Sequence, residues 1–149
     1  MSSKRPIKPD IVLEAGNMAS SPEYDDPDYI DDSLQLLTTR HNFTRQAPLV
    51  SFGDTSAAAA LASRMAARLW HKYPNFTPET VRALLVHSSE WTPAMLARFT
   101  NAQGAINYEG LRRCFGYGVP DYRRLMSSAD NSLTLIAQGS IQPFFKDEE

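Results

Sequence analysis

A serine that directly follows Gly53-Asp54-Thr55 and leads into an alanine-rich run is the residue of this sequence best placed for covalent chemistry. Ala57 to Tyr73 reads as the strongest helix of the chain, so Ser56 stands at a helix N-terminus, where unpaired N–H groups and the positive end of the dipole gather. A hydroxyl there gains its own backbone N–H to hold the oxyanion of acyl transfer, and a rigid element to fix it against a base. The same position suits an ordinary Ser or Thr helix cap, a common role and the one the motif by itself favours. A serine also needs a neighbouring base and an orienting carboxylate. His71 lies four turns down the same helix, roughly 22 Å away at 1.5 Å per residue, too far to share a proton. His87 falls within a second helix and reads as a packing or capping residue. Cys114, the single cysteine, has no plausible histidine nearby and reads as a small buried apolar residue.

The elements that must position Ser56 follow from periodicity and punctuation. Pro48 to Phe52 reads as a short strand that delivers Gly53 to the helix. Within that helix Leu61, Met65, Leu69 and Trp70 form the apolar stripe, and four alanines at its start predict close packing there, a buried beginning and a wet end. Pro74-Asn75 stops it. Thr77-Pro78-Glu79 starts a second helix with Thr77 as cap, and Val81, Leu84, Leu85, with His87 and Ser88, give that helix its buried face. Trp91-Thr92-Pro93 opens a third helical stretch through Phe99; Trp70, Trp91 and Phe99 read as helix-packing residues. Residues 101 to 110 read as a loop or short helix, Cys114 to Pro120 as a glycine-punctuated turn, Asp121 as the cap of a helix over Tyr122 to Met126, and Leu133 to Ala137 as a strand. Ile11-Val12-Leu13 reads as a buried strand, and no other strand is expected before residue 50, so its pairing partners are expected outside this chain.

Met18 to Gln46 reads as loop and is acidic, with Glu23, Asp25, Asp26, Asp28, Asp31 and Asp32. Clustered carboxylates could serve a hard cation, but the run lacks the Asp-x-Asp-x-Asp-Gly frame of a calcium loop, so it reads as a solvated acidic loop, and no metal site or cofactor is expected. Arg112-Arg113 and Arg123-Arg124 read as solvated charge pairs. With 15 Lys and Arg against 17 Asp and Glu, the net charge of −2 gives no field to hold a nucleic acid. No apolar run approaches the ~20 residues of a membrane span. One cysteine excludes an internal disulfide. A length of 149 residues allows one core but hardly two.

The order of four stretches carries a resemblance. Lys8-Pro9-Asp10-Ile11-Val12, then Gly53-Asp54-Thr55-Ser56-Ala57-Ala58 opening the alanine-rich helix, then Tyr73-Pro74-Asn75-Phe76-Thr77-Pro78-Glu79-Thr80-Val81-Arg82-Ala83-Leu84-Leu85, then Gly116-Tyr117-Gly118, resembles the C-terminal part of the catalytic domain of subtilisin-like (S8) serine proteases, over about residues 6 to 125. The resemblance implies an α/β, three-layer fold with a mostly parallel sheet, present here as an incomplete C-terminal portion. It implies Ser56 as the nucleophile and Gly53, Asp54 and Thr55 as residues that line the substrate. It divides the chain into residues 1–126, the peptidase part, and 127–149, the start of a following β-rich region. Departures accompany it: Asp54 stands where the family usually has a glycine, Ala60 and Arg64 replace a later Pro and Gly, and Ala15-Gly16 lacks an intervening proline.

The family's Asp, His and oxyanion Asn would precede Met1, and Arg40-His41-Asn42 does not resemble the His-Gly-Thr that carries its base. The expected function is therefore peptide-bond hydrolysis through an acyl-enzyme on Ser56. Its partners would be a polypeptide substrate and the remainder of the protease domain, with little or no activity in the chain alone. A noncatalytic interaction or regulatory module with a protease-like core is the alternative, and a small helical binding domain in which Ser56 only caps a helix is a third reading. Neither nucleic acid nor membrane is an expected partner.

Overall fold

Alanine is the best helix former, and the run that starts at Gly53 becomes the longest element of the chain, α1 (Asp54–Lys72). The structure, a computed structural model, describes residues 8–19, 31–130 and 136–141. Ahead of α1, Leu36–Thr39 (β1) and Leu49–Phe52 (β2) form an antiparallel hairpin in which Leu36 faces Phe52 and Thr39 faces Leu49. After α1 come α2 (Pro78–His87), β3 (Ser89–Glu90), α3 (Pro93–Arg98), α4 (Tyr108–Phe115), β4 (Val119–Pro120) and α5 (Tyr122–Asp130). β3 and β4 pair antiparallel.

Side-chain caps start most of these helices, because the first N–H groups of a helix need acceptors from outside it. Thr77 Oγ1 accepts from Thr80 N at 3.3 Å, Thr92 Oγ1 from Met95 N at 3.3 Å, Asn107 Oδ1 from Gly110 N at 2.9 Å, and Asp121 Oδ1 from Arg124 N at 2.6 Å. The core gathers Leu69 of α1, Val81, Leu84 and Leu85 of α2, and Leu125 of α5, with Met65, Tyr73, Phe76, Met126 and Ile136 around it. Tyr73 and Phe76 stack at 4.9 Å where the chain turns from α1 to α2. Beyond α5, Gln138 Oε1 accepts from Thr77 N at 2.8 Å and from Thr80 Oγ1 at 2.7 Å, so the 136–138 segment closes over the start of α2.

The segment at Lys8 to Leu13 is tied to the Gly-Tyr-Gly turn. Tyr117 N–H donates to Asp10 O at 2.8 Å and Val12 N–H to Gly118 O at 3.0 Å. Gly116 and Gly118 have φ of +57° and +100°. A Cβ on Gly116 would lie under 3.0 Å from Asp10 O and Pro9 O, and one on Gly118 under 3.0 Å from Glu90 O, so only glycine permits this approach. Asp10 also pairs with Arg82 of α2 at 2.9 Å and with Lys8 at 2.6 Å.

Several expectations are corrected. Both sheets among the described residues are two-stranded and antiparallel, so the mostly parallel three-layer sheet is not seen there. Ile11–Leu13 is half-buried and in no strand, since Val12 makes a single backbone bond to Gly118 and no ladder partner stands beside it among the described residues. The stretch read as loop contains β1, a strand defined by its pairing with β2 and not by its own composition. The packing of α1 follows expectation only in part: at its start Ala57 is buried but Ala59 and Ala60 are exposed, and at its end Trp70, His71 and Lys72 are exposed but Leu69 is fully buried. Small side chains permit close packing, but only a neighbouring element supplies it. Cys114 is exposed on α4, which runs on through residues assigned to the turn, and His87 is exposed at the end of α2. Trp70 is also exposed, although its Nε1 donates to Phe76 O at 2.6 Å. Of the strand expected over Leu133 to Ala137, Leu133–Leu135 lie outside the described residues, and Ile136 and Ala137 are in no strand.

Candidate active site

The strand-to-helix junction builds the site. β2 ends at Phe52, Gly53 caps α1 without any side-chain cap bond, and Ser56 is the third helical residue. The cap is thus a glycine three positions earlier, which removes the reading of Ser56 as a helix cap. Ser56 and Thr55 are both exposed. The first-turn N–H groups of α1, including that of Ser56, have no partner within the helix and are available to an anionic oxygen. Asp54, the departure from the family's usual glycine, has φ +64°, the left-handed region that glycine occupies freely and that only Asn and Asp among other residues visit with any regularity. Asp54 thus places a carboxylate on a left-handed backbone position at the start of α1.

Beside this junction lies a cleft of about 550 Å³. Gly53, Asp54 and Thr55 form one wall, Ser51 and Phe52 continue it, and the Ala15–Met18 turn faces them. Ser56 sits on the helical turn that follows the last lining residue. The structure brings Gly53, Asp54 and Thr55 together at a cleft; Ser56, the next residue along α1, is exposed but does not line it.

No base stands with the Ser56 hydroxyl among the described residues. His41 lies at the tip of the β1–β2 hairpin, where it lines a separate hollow with Thr39, Arg40, Phe43 and Pro48. Four residues of β2 separate that tip from Gly53, about 13 Å at 3.3 Å per residue. His71 is in the last turn of α1, and His87 ends α2. No group of three or more His, Cys, Asp or Glu able to hold a metal exists among the described residues, and Glu23 to Asp28 of the acidic stretch lie outside them. No described helix is long and apolar enough to cross a membrane. The arginine pairs are solvent-facing, with Arg113 bonded to Glu109 at 2.9 Å and Arg124 paired with Glu90.

One residue of the cleft carries no sequence signal. Gln35 lines it beside Gly16, which has φ +81°, and its Nε2 donates to Asn17 O at 2.7 Å. The only hint in the sequence is the pair of glycines, Gly16 and Gly53, whose missing side chains leave the space it fills.

Comparison with known proteins adds a single finding. No curated protein and no solved structure matches the chain. The model of the subtilase family matches residues 1–118, from the Lys8–Val12 segment through the cleft, α1 and α2 to the Gly-Tyr-Gly turn, and the chain belongs to that family.

Proposed function

We propose that this chain carries the nucleophile of a serine endopeptidase and acts together with residues contributed from outside it. The observation that supports the reading is the placement of Ser56: exposed, in the first turn of α1, directly after the cleft-lining residues Gly53, Asp54 and Thr55. In the proposed reaction Ser56 Oγ attacks a peptide carbonyl and its proton passes to a histidine outside this chain. The Ser56 backbone N–H, with an asparagine outside the chain, holds the oxyanion of the tetrahedral intermediate. Collapse expels the amine, which takes the proton back from the histidine, and leaves an acyl ester on Ser56 that water then hydrolyses. The polypeptide lies along the Gly53–Thr55 wall. Because none of His41, His71 and His87 reaches Ser56, the chain alone is expected to turn over little or no substrate.

A fluorophosphonate probe tests both halves of this reading. The 149-residue chain alone is expected to label weakly or not at all, and the same chain joined to the sequence encoded upstream of it to label strongly, with labelling lost in Ser56→Ala. Strong Ser56-dependent labelling of the chain alone overturns the outside base. Failure of the extended protein to label overturns the nucleophile and leaves a noncatalytic module with a protease-like core.

A further inference from the structure

The turn that carries Ser56 is not held by its own helix. Gly53 contributes no side-chain cap bond, and the next residue, Asp54, sits at φ +64°. A left-handed residue other than glycine is strained, least so for Asn and Asp, and persists only where neighbouring groups fix it. What fixes this one is set by the hairpin register. Leu36 faces Phe52, so one step further Gln35 comes opposite Gly53.

We propose that Gln35 is a positioning residue for Ser56, a role that rests on the reading of Ser56 as nucleophile. Its side chain fills the notch between Gly16 and Gly53: a Cβ added to either glycine would lie under 3.0 Å from Gln35 Oε1. Its other end is fixed, since Nε2 donates to Asn17 O at 2.7 Å, and Asn17 N–H in turn donates to Leu34 O at 2.9 Å. One amide thus joins the Ala15–Asn17 turn, the start of β1 and the β2–α1 junction, the three segments that bound the cleft. Neither close relative of the side chain reproduces this. A glutamate would face Asn17 O with a carboxylate and no donor, and a methionine fills similar volume without a hydrogen bond. Released from this amide, the Gly53-Asp54 backbone is free to relax, and Ser56 moves with it. A displacement of about 1 Å in a reacting group costs up to about 100-fold in rate.

The test uses Gln35→Met, which keeps the volume, in two measurements. In the 149-residue chain, the Asn17 N–H keeps its bond to Leu34 O, but its exchange is expected to rise about tenfold because the segment opens more readily without the Gln35 bond to Asn17 O. The amide resonances of residues 53–57 should shift, while exchange at Ser88, whose N–H bonds Leu84 O within the helical core, stays unchanged. In the extended, catalytically competent protein, kcat is expected to fall ten- to a hundredfold with KM within about twofold. A companion pair sharpens it: Gly53→Ala should perturb residues 53–57 strongly with Gln35 present and little in the Gln35→Ala background. Unchanged Asn17 exchange and unchanged 53–57 resonances overturn the proposal whether or not the protein is a protease. A loss of activity that merely tracks the fraction unfolded, or one that methionine does not produce, overturns it too. Wild-type protein that shows the structural coupling but never reacts at Ser56 overturns the nucleophile reading instead, and the positioning role with it.

Discussion

The helical part of the chain and the cleft part are built on opposite principles. Around Leu69, Leu84, Leu85 and Leu125, side chains from three helices bury one another, and α2 and α5 start with side-chain caps. Around the cleft, β1 and β2 pair only with each other among the described residues, and Leu37, Leu49 and Phe43 stand 72%, 50% and 61% exposed. A lone two-stranded hairpin is marginal in water. The site that carries Ser56 is thus held by a few polar ties and glycine contacts, and the helical part by apolar burial. The division teaches where each kind of substitution acts: loss of volume matters in the helical part, loss of a particular backbone angle or hydrogen bond matters at the cleft.

The comparison is broken most directly by truncating one leucine in each region. Leu69→Ala, at a fully buried position, is expected to cost about 2 to 5 kcal/mol in denaturant unfolding, against about 0.5 kcal/mol or less for Leu37→Ala. Equal losses would show that the hairpin is packed in solution. The joint between the regions comes next. Gly118→Ala forces a Cβ against the Glu90 carbonyl at φ +100°, an expected loss of about 2 to 4 kcal/mol. Gly104→Ala, at φ +79° with open space around it, should cost only about 1 kcal/mol, and thermal melts of the two variants separate clash from backbone strain.

Two smaller effects sharpen the picture. Thr77→Ala removes the α2 cap and is expected to cost about 1 kcal/mol, measured as a shift in the unfolding midpoint at unchanged slope. Asp10 latches the Lys8–Leu13 segment to α2, and the hydrogen bond from Lys8, followed by that from Arg82, holds its carboxyl below the ordinary value. A carboxyl lowered in the folded state contributes stability above its unfolded pKa of about 4 and loses it as pH falls through the folded value. Asp10→Asn should therefore cost up to about 1 kcal/mol at pH 7, a difference that closes as pH falls below about 4. A gap that persists at pH 2 would assign the effect to packing.

Helix starts were legible because their chemistry is local. Thr77-Pro78, Thr92-Pro93 and Asp121 each place a side-chain oxygen within three residues of the N–H it accepts from, and the structure has all three caps. The spacing of Val81, Leu84 and Leu85 likewise predicted the buried face of α2. β1 was not legible, because Leu36–Thr39 becomes a strand only against Leu49–Phe52, across a loop of nine residues whose acidic approach reads as irregular chain. α4 was not legible as a unit: it spans residues read partly as a loop or short helix and partly as a turn, because Gly116 and Gly118 mark a turn more strongly than Leu111 and Phe115 mark a helix.

The sequence by itself determined the family, through the order of the Lys-Pro-Asp, Gly-Asp-Thr-Ser and Gly-Tyr-Gly stretches, and it placed Ser56 at a helix start, since strand, glycine and alanine run are contiguous. Only the tertiary structure decided which face of α1 is covered, that His41 stands at the hairpin tip away from Ser56, and that Gln35 reaches the junction from just ahead of β1. Burial and distance between residues far apart in the chain depend on how whole elements pack, and no local pattern encodes that packing.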